Sequence, residues 1–224
     1  AHNDYNAVIV AASGNDHVDA AHYPSSYEHV ISVTATNQSE RVNWATFHES
    51  VDLASPGEGI MSTTNQNGTN TGAYQSWNGT SMASPVVASC IGLLSAFNPG
   101  WSNEQLETMI VATSDPIIYN ANTEDYLQGK IGQGRVDVGR SLLTPLFPKI
   151  ELVTTDYAII GGNSDNIIDA GESLNLSVIL SNHSEWGDAL NPIISLTSNS
   201  NDIQVINSNQ SINNIIPSDI YIND

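Results

Sequence analysis

The chain has 224 residues, of which 24 are acidic and 5 basic, for a formal charge of −19; that length accommodates one full domain plus part of a second. So acidic a surface excludes nucleic acid and anionic membrane as partners, because binding by counterion release needs basic groups. No apolar run reaches the ~20 residues of a membrane span, and Cys90 as the single cysteine excludes an internal disulfide framework.

In chain order, the first element is the apolar run Ala7-Val8-Ile9-Val10-Ala11-Ala12. It has strand length and reads as a parallel strand covered on both faces. It stops at the turn formers Ser13-Gly14-Asn15-Asp16, at the carboxyl edge where open α/β sheets build their sites. Taken alone, Asn15 after a glycine is a turn residue. Val30-Ile31-Ser32-Val33-Thr34-Ala35 is the next strand, and Val51-Asp52-Leu53-Ala54-Ser55 is a short one stopped by Pro56-Gly57.

Gly79-Thr80-Ser81-Met82-Ala83-Ser84-Pro85 then leads into the small, apolar residues 86–94, which read as a buried helix. Ser81 stands at the helix start, where free N–H groups and the helix dipole favour developing negative charge. A nucleophilic hydroxyl gains there twice, in its own alkoxide and in an N–H able to donate to a tetrahedral oxyanion. Pro85 lies one position beyond the free donors of a first turn, which predicts a bend or loosened turn. Trp101-Ser102-Asn103-Glu104-Gln105 opens another helix: Ser102 with Gln105 makes a capping box, and Leu106, Met109, Ile110 and Thr113 recur at helical spacing.

Thr144-Pro145-Leu146-Phe147-Pro148-Lys149 reads as a semi-rigid linker within residues 144–150. Beyond it, residues 151–224 contain no Lys or Arg. Leu174, Leu176, Val178 and Leu180 alternate at strand period, and 194–196 and 203–206 are further short strands between Asn/Ser/Asp turns. That spacing predicts a partial antiparallel β-sandwich over 151–224.

The string GTSMASP resembles the nucleophile motif of the subtilisin-like serine peptidases, and Ala11-Ala12-Ser13-Gly14-Asn15 resembles their oxyanion segment. Tyr23-Pro24-Ser25-Ser26-Tyr27, the Pro56-Gly57 stop and Gly134-Arg135-Val136-Asp137 with 138–143 are similar to later family segments, the last as final strand and closing helix. Residues 1–143 are thereby identified as the C-terminal part of such a catalytic domain, an α/β fold with a mainly parallel sheet and flanking helices. The resemblance implies a serine endopeptidase acting on proteins or peptides, with Ser81 as nucleophile and Asn15 as oxyanion donor. It further implies that Ala12, Ser13 and Gly14 line one wall of the primary specificity pocket, with His22 near its floor. Such enzymes use Asp, His and Ser in that chain order. None of the six histidines here is followed by Gly-Thr, the family's setting for the base, so the Asp and His are expected upstream and residues 1–224 are expected to be inactive alone. Val86 departs from relatives that carry a histidine there.

The chemistry requires no cofactor. Structural calcium is compatible with the carbonyls of Ser25, Tyr27 and Val30, as in relatives, and with Asp165, Asp169 and Glu172 as hard oxygen ligands. Asp169-Ala170-Gly171-Glu172, with Ser181-Asn182, resembles immunoglobulin-like accessory modules of secreted bacterial peptidases, which implies a secreted or cell-surface location. Two rival readings are a catalytically dead relative serving as a binding or adhesion module, and a sedolisin-like acid peptidase. The second places an aspartate where this chain has Asn15.

Overall fold

The computed structural model describes residues 2–64, 74–163, 165 and 167–223, and the chain divides into two units, Ala1–Thr144 and Pro145–Asp224. In the first, a short helix α1 (His2–Tyr5) precedes the strands β1 (Val10–Ala12), β2 (Ile31–Thr36) and β3 (Leu53–Pro56). These form a sheet in the order β1-β2-β3, parallel at both pairings. All six residues of β2 are buried, Ser32, Thr34 and Thr36 included, as expected of a central strand covered on both faces. β1 has only three residues, although its bonded stretch is longer: Ile31 N–H donates to Ile9 O at 2.8 Å and Ser13 N–H to Val33 O at 3.0 Å.

An antiparallel ribbon of β4 (Ile60–Thr63) and β5 (Tyr74–Trp77) carries the chain towards α2 (Thr80–Phe97), which packs on all three parallel strands. Thr80, Ala83, Val87, Ile91 and Leu94 form its buried stripe, at the 3–4 residue spacing of one helix face. Pro85 does not interrupt it: α2 is one continuous helix. The missing N–H at position 85 would have served the carbonyl of Ser81, an exposed residue that water can reach.

By length and composition α2 is apolar enough to cross a membrane, with 18 residues of mean hydropathy 1.5. The sequence expectation concerned an uninterrupted apolar run of ~20 residues; the Ser and Thr within α2 break such a run, and its Ala, Val, Ile and Leu keep the average high. Core helices of globular domains pass the same test, and the packing of α2 against the sheet and two helices makes it one.

The first of those helices, α3 (Asn103–Ala112), begins with the full capping box: Ser102 Oγ accepts from Gln105 N–H while Gln105 Oε1 accepts from Ser102 N–H. Such a cap stabilises by about 1 kcal/mol. Leu106, Met109 and Ile110 are buried, as is Thr113 at its C-cap. A short α4 (Ile118–Ala121) and a 3₁₀ turn (Asp125–Leu127) follow, then α5 (Val138–Leu143), whose Asp137 cap accepts from Arg140 N–H. The strand expected at 134–137 is reduced to one bridging residue, Arg135, held between Ala54 and Asp115.

The second unit contains β6 (Ile150–Ile160), β7 (Ser173–Asn182), β8 (Ile193–Ser195), β9 (Asn209–Ser211) and β10 (Ile220–Asn223). β10-β7-β6 is an antiparallel sheet and β8-β9 a separate antiparallel ribbon. Ala189, Ile212 and Ile215 form a small core with Leu180, Ile194 and Tyr221, so the apolar face of β7 is covered at one end while Leu174 and Leu176 stay exposed. Asn182 knits this unit together. Buried, it accepts from Lys149 N–H through its side-chain oxygen and donates to Gly187 O and Ile215 O.

Residues 203–206 form no strand, against expectation. The β8–β9 ladder ends where Leu196 N–H donates to Ser208 O. Beyond it Ser198 and Ser200 hydroxyls take up the N–H groups of Ser200 and Asp202, and such side-chain bonds compete with a ladder.

Candidate active site

Three chain segments meet at the carboxyl edge of the parallel sheet. Asn15 follows β1, Gly57 follows β3, and Gly79-Thr80-Ser81 starts α2. Gly57 O accepts from Gly79 N–H at 2.8 Å, which pins the turn before Ser81 to the sheet end. A Cβ at Gly57 would stand 2.5 Å from Ala35 Cβ and 2.9 Å from Gly79 O, so this close approach admits only glycine.

Thr80, fully buried, joins two of these segments. Its N–H donates to Asn15 Oδ1 at 2.9 Å, and its hydroxyl donates to the same oxygen at 3.0 Å while accepting from Gly14 N–H at 3.2 Å. A backbone N–H can only donate, so the amide atom facing Thr80 must be the carbonyl oxygen of Asn15. Both lone pairs of that oxygen are used. The amide is thereby locked, and its NH₂ group is left on the other side with no partner among the described residues.

Ser81 is exposed in the first turn of α2, where N–H groups have no intrahelical acceptor. It shares with Asn15 a cleft of about 470 Å³, also lined by Ser76, Trp77, Asn78, Gly79 and Met82. Asn15 and Ser81 therefore line one space, which brings a hydroxyl-bearing helix start and an amide side chain together. Cys90, on the same helix, does not compete. Burial, with Asp137 adding to it, pushes its thiol pKa up, away from the reactive thiolate.

No histidine lines this cleft. His48 Nδ1 lies 2.9 Å from Ser50 Oγ and accepts from Ser50 N–H, and the His17 ring meets Phe47 and Tyr126 edge-on. Among the described residues, then, the cleft has no side chain positioned to take the proton of Ser81.

The remaining expected site residues adjoin the cleft rather than line it. Ser13 is buried, its hydroxyl donating to Thr46 O at 3.1 Å, so its side chain faces inward and only its backbone can face a substrate. The exposed His22 ring lies against Gly14, where an added Cβ would come within 3.0 Å of His22 Cδ2. Ala12, the last residue of β1, is half-buried. In the expected cation sites, the carbonyls of Ser25 and Tyr27 accept no hydrogen bond among the described residues. Asp165, Asp169 and Glu172 do gather in one loop, where Asn163 Nδ2 donates to both aspartates and Glu172 accepts from Asp169 N–H.

Sequence reasoning missed the clamp at Thr80, which alone reads as a helix cap. Its signal was the pairing of Gly-Thr-Ser with an Asn at a strand end. It also missed Gly57 as the floor of the nucleophile turn, although Pro-Gly after a strand marks the place.

Residues 1–134 match the model of the Subtilase family. Among characterised proteins, the chain is 33% identical over 138 residues to the halolysin-like extracellular serine protease Nep of Natrialba magadii, covering 61% of this chain and 23% of that one. It is 40% identical over 117 residues to the cell wall-associated protease of Bacillus subtilis, covering 52% and 12%, and 35% identical over 108 residues to subtilisin BL of Lederbergia lenta, covering 48% and 38%. The chain thus spans well under half the length of these relatives. Among solved structures, the prenylagaramide maturation protease PagA superposes with a TM-score of 0.53 at 21% identity, over 63% of this chain and 51% of that one, which shows a shared fold. With the family's model matched across most of the first unit, and the serine and asparagine segments brought to one cleft, the chain belongs to the subtilase family.

Proposed function

We propose that this chain carries the nucleophile half of a secreted subtilisin-like serine endopeptidase. Ser81 attacks the scissile carbonyl, and Asn15 Nδ2 with the Ser81 N–H receives the oxyanion. The aspartate and histidine of the triad come from a segment outside residues 1–224. The observation that carries this reading is the double hydrogen bond from Thr80 to Asn15 Oδ1, which commits the amide oxygen to Thr80 and leaves its NH₂ without a partner among the described residues, in a side chain that lines the same cleft as Ser81. Secretion is supported by relatives described as extracellular or cell wall-associated. The test is to label the full-length protein with a fluorophosphonate and locate the adduct by peptide mass. Modification at Ser81 is expected; an adduct elsewhere refutes the assignment.

Substrate preference follows from the small residues at Ala12, Ser13 and Gly14 with His22 packed beside them. They leave room for a large apolar side chain before the scissile bond and supply no acid to pair with a base. Profiling on a peptide library should show cleavage after large apolar residues. Dominant cleavage after Lys or Arg contradicts it.

Calcium is a structural element in this reading and takes no part in the chemistry. The Ser25, Tyr27 and Val30 carbonyls offer three of the six to eight oxygens that calcium takes, and the first two are not used in hydrogen bonds among the described residues. The expected result is a melting temperature several degrees higher in calcium than in a chelator. An unchanged value removes the ion from the description. The second unit serves as an accessory β-module, with its ribbon and sheet as parts of a sandwich.

A further inference from the structure

At the other edge of the parallel sheet from Ser81, three segments far apart in sequence bring together ligand-type side chains. His2 lies on α1, His29 two residues before β2, and Glu107 on α3. Each offers one ligand atom, and these atoms all lie within 4.8 Å of one another. His2 Nε2 stands 3.1 Å from Glu107 Oε1 and 3.2 Å from Oε2, and the His2 and His29 rings stack with centroids 4.3 Å apart.

His2 is already oriented as a metal-bound histidine would be. Its Nδ1 is 2.9 Å from Asn3 Oδ1, and an amide oxygen only accepts, so Nδ1 carries a proton and Nε2 is the nitrogen presented to Glu107. Histidine ligands commonly donate their second N–H to such an oxygen, which fixes the tautomer and the ring plane. Glu107 Oε1 is buried and makes no hydrogen bond; it faces His2 Nε2 at ion-pair distance only, the hydrogen bond going to Oε2.

No fixed cation answers this charge. The four basic residues of the unit pair elsewhere: Arg41 with Glu124, Lys130 with Asp19, Arg135 with Glu40 and Arg140 with Asp115. Glu107 therefore has no Lys or Arg as its ion-pair partner, and a bound ion can supply that charge.

We propose that His2, His29 and Glu107 bind one divalent transition ion, zinc by their donor chemistry, with water in the fourth position. Two imidazoles and a carboxylate suit that class of metal, and calcium and magnesium prefer all-oxygen sets. Donor atoms at zinc distances of ~2.0–2.1 Å in a tetrahedron are about 3.4 Å apart, so the widest separation must close by roughly 1.4 Å. The half-exposed His29 ring, 49% accessible, has only the exposed Glu28 carboxylate 3.9 Å from its Nε2, and a turn towards the ion replaces its stack on His2. The ion ties α1 and the segment before β2 to α3. It lies across the sheet from Ser81, so it acts on stability, and the inference does not depend on the peptidase reading.

The test uses full-length protein in calcium-replete buffer, titrated with cobalt chloride and then with zinc chloride. One equivalent of cobalt should bind, with the visible absorption of a four-coordinate site that zinc bleaches, and zinc should raise the melting temperature. His29→Gln and Glu107→Gln should each weaken binding at least tenfold and abolish the thermal shift. His29→Gln alters an exposed side chain and so leaves folding intact, keeping the comparison decisive. Absence of stoichiometric binding, or equal binding by both variants, overturns the site and leaves an ion-pair cluster.

Discussion

Ser81→Ala is expected to abolish turnover of peptide substrates by the full-length enzyme and to abolish its labelling by fluorophosphonates. The substitution removes one oxygen from an exposed position in the first turn of α2, and alanine is the better helix former. Fold and melting temperature should therefore be unchanged, which makes the loss a chemical one. Loss of the nucleophile in subtilisin itself, the reference case, costs about 10⁶-fold in turnover. Cys90 offers no substitute, since its raised pKa keeps it a thiol. Labelling that survives in Ser81→Ala would displace Ser81 from its role. A full-length wild type that takes no label would instead support the binding-module reading.

Replacing Asn15 should separate the oxyanion role proposed for it from its observed hold on Thr80. Asn15→Leu removes the NH₂ donor, and the expected loss in kcat is about 10²–10³, the range known for the equivalent donor of subtilisin, with little change in KM. It also strips the acceptor from the N–H and hydroxyl of Thr80, which is fully buried. Leaving such a donor unmet costs about 1–3 kcal/mol, so the melting temperature should fall as well. Asn15→Asp keeps both acceptor bonds and loses only the donor, placing a negative charge where the oxyanion forms. It should melt close to wild type and turn over at least as slowly as Asn15→Leu. A kcat near wild type in Asn15→Asp would remove the amide from the oxyanion hole.

Local rules made the helices and the central strands legible. The Ser102–Gln105 box needs only residues three apart, and it forms as read. β2 announced itself by an apolar-rich run of strand formers, and the start of α2 by glycine before Thr-Ser. What escaped were features set by partners distant in sequence. β1 is shorter than its apolar run because the ladder with β2 decides its length. Arg135 is a single bridge because it sits between β3 and a loop residue. Residues 203–206 had strand composition, yet the serines just upstream spent their hydroxyls on the backbone and ended the ribbon. In the site, the Ser81 and Asn15 segments stood out as motifs, but the Thr80 clamp spans 65 positions. The His2–Glu107 pair spans 105, and no spacing rule reaches across either gap.

One consequence of the clamp concerns motion. Thr80 is both the first residue of α2 and the lock on Asn15, so the first helical turn and the aim of the amide are held by the same bonds. Helix ends are where local opening ordinarily costs least. Here each opening of that turn also releases the Asn15 amide to rotate, so on the proposed oxyanion role of Asn15 a molecule with a frayed α2 is expected to be disarmed while still globally folded. The exchange rate of the Thr80 amide hydrogen should then report how often the proposed site is out of order. Heat or denaturant should silence the enzyme in step with that exchange, ahead of the loss of its sheet.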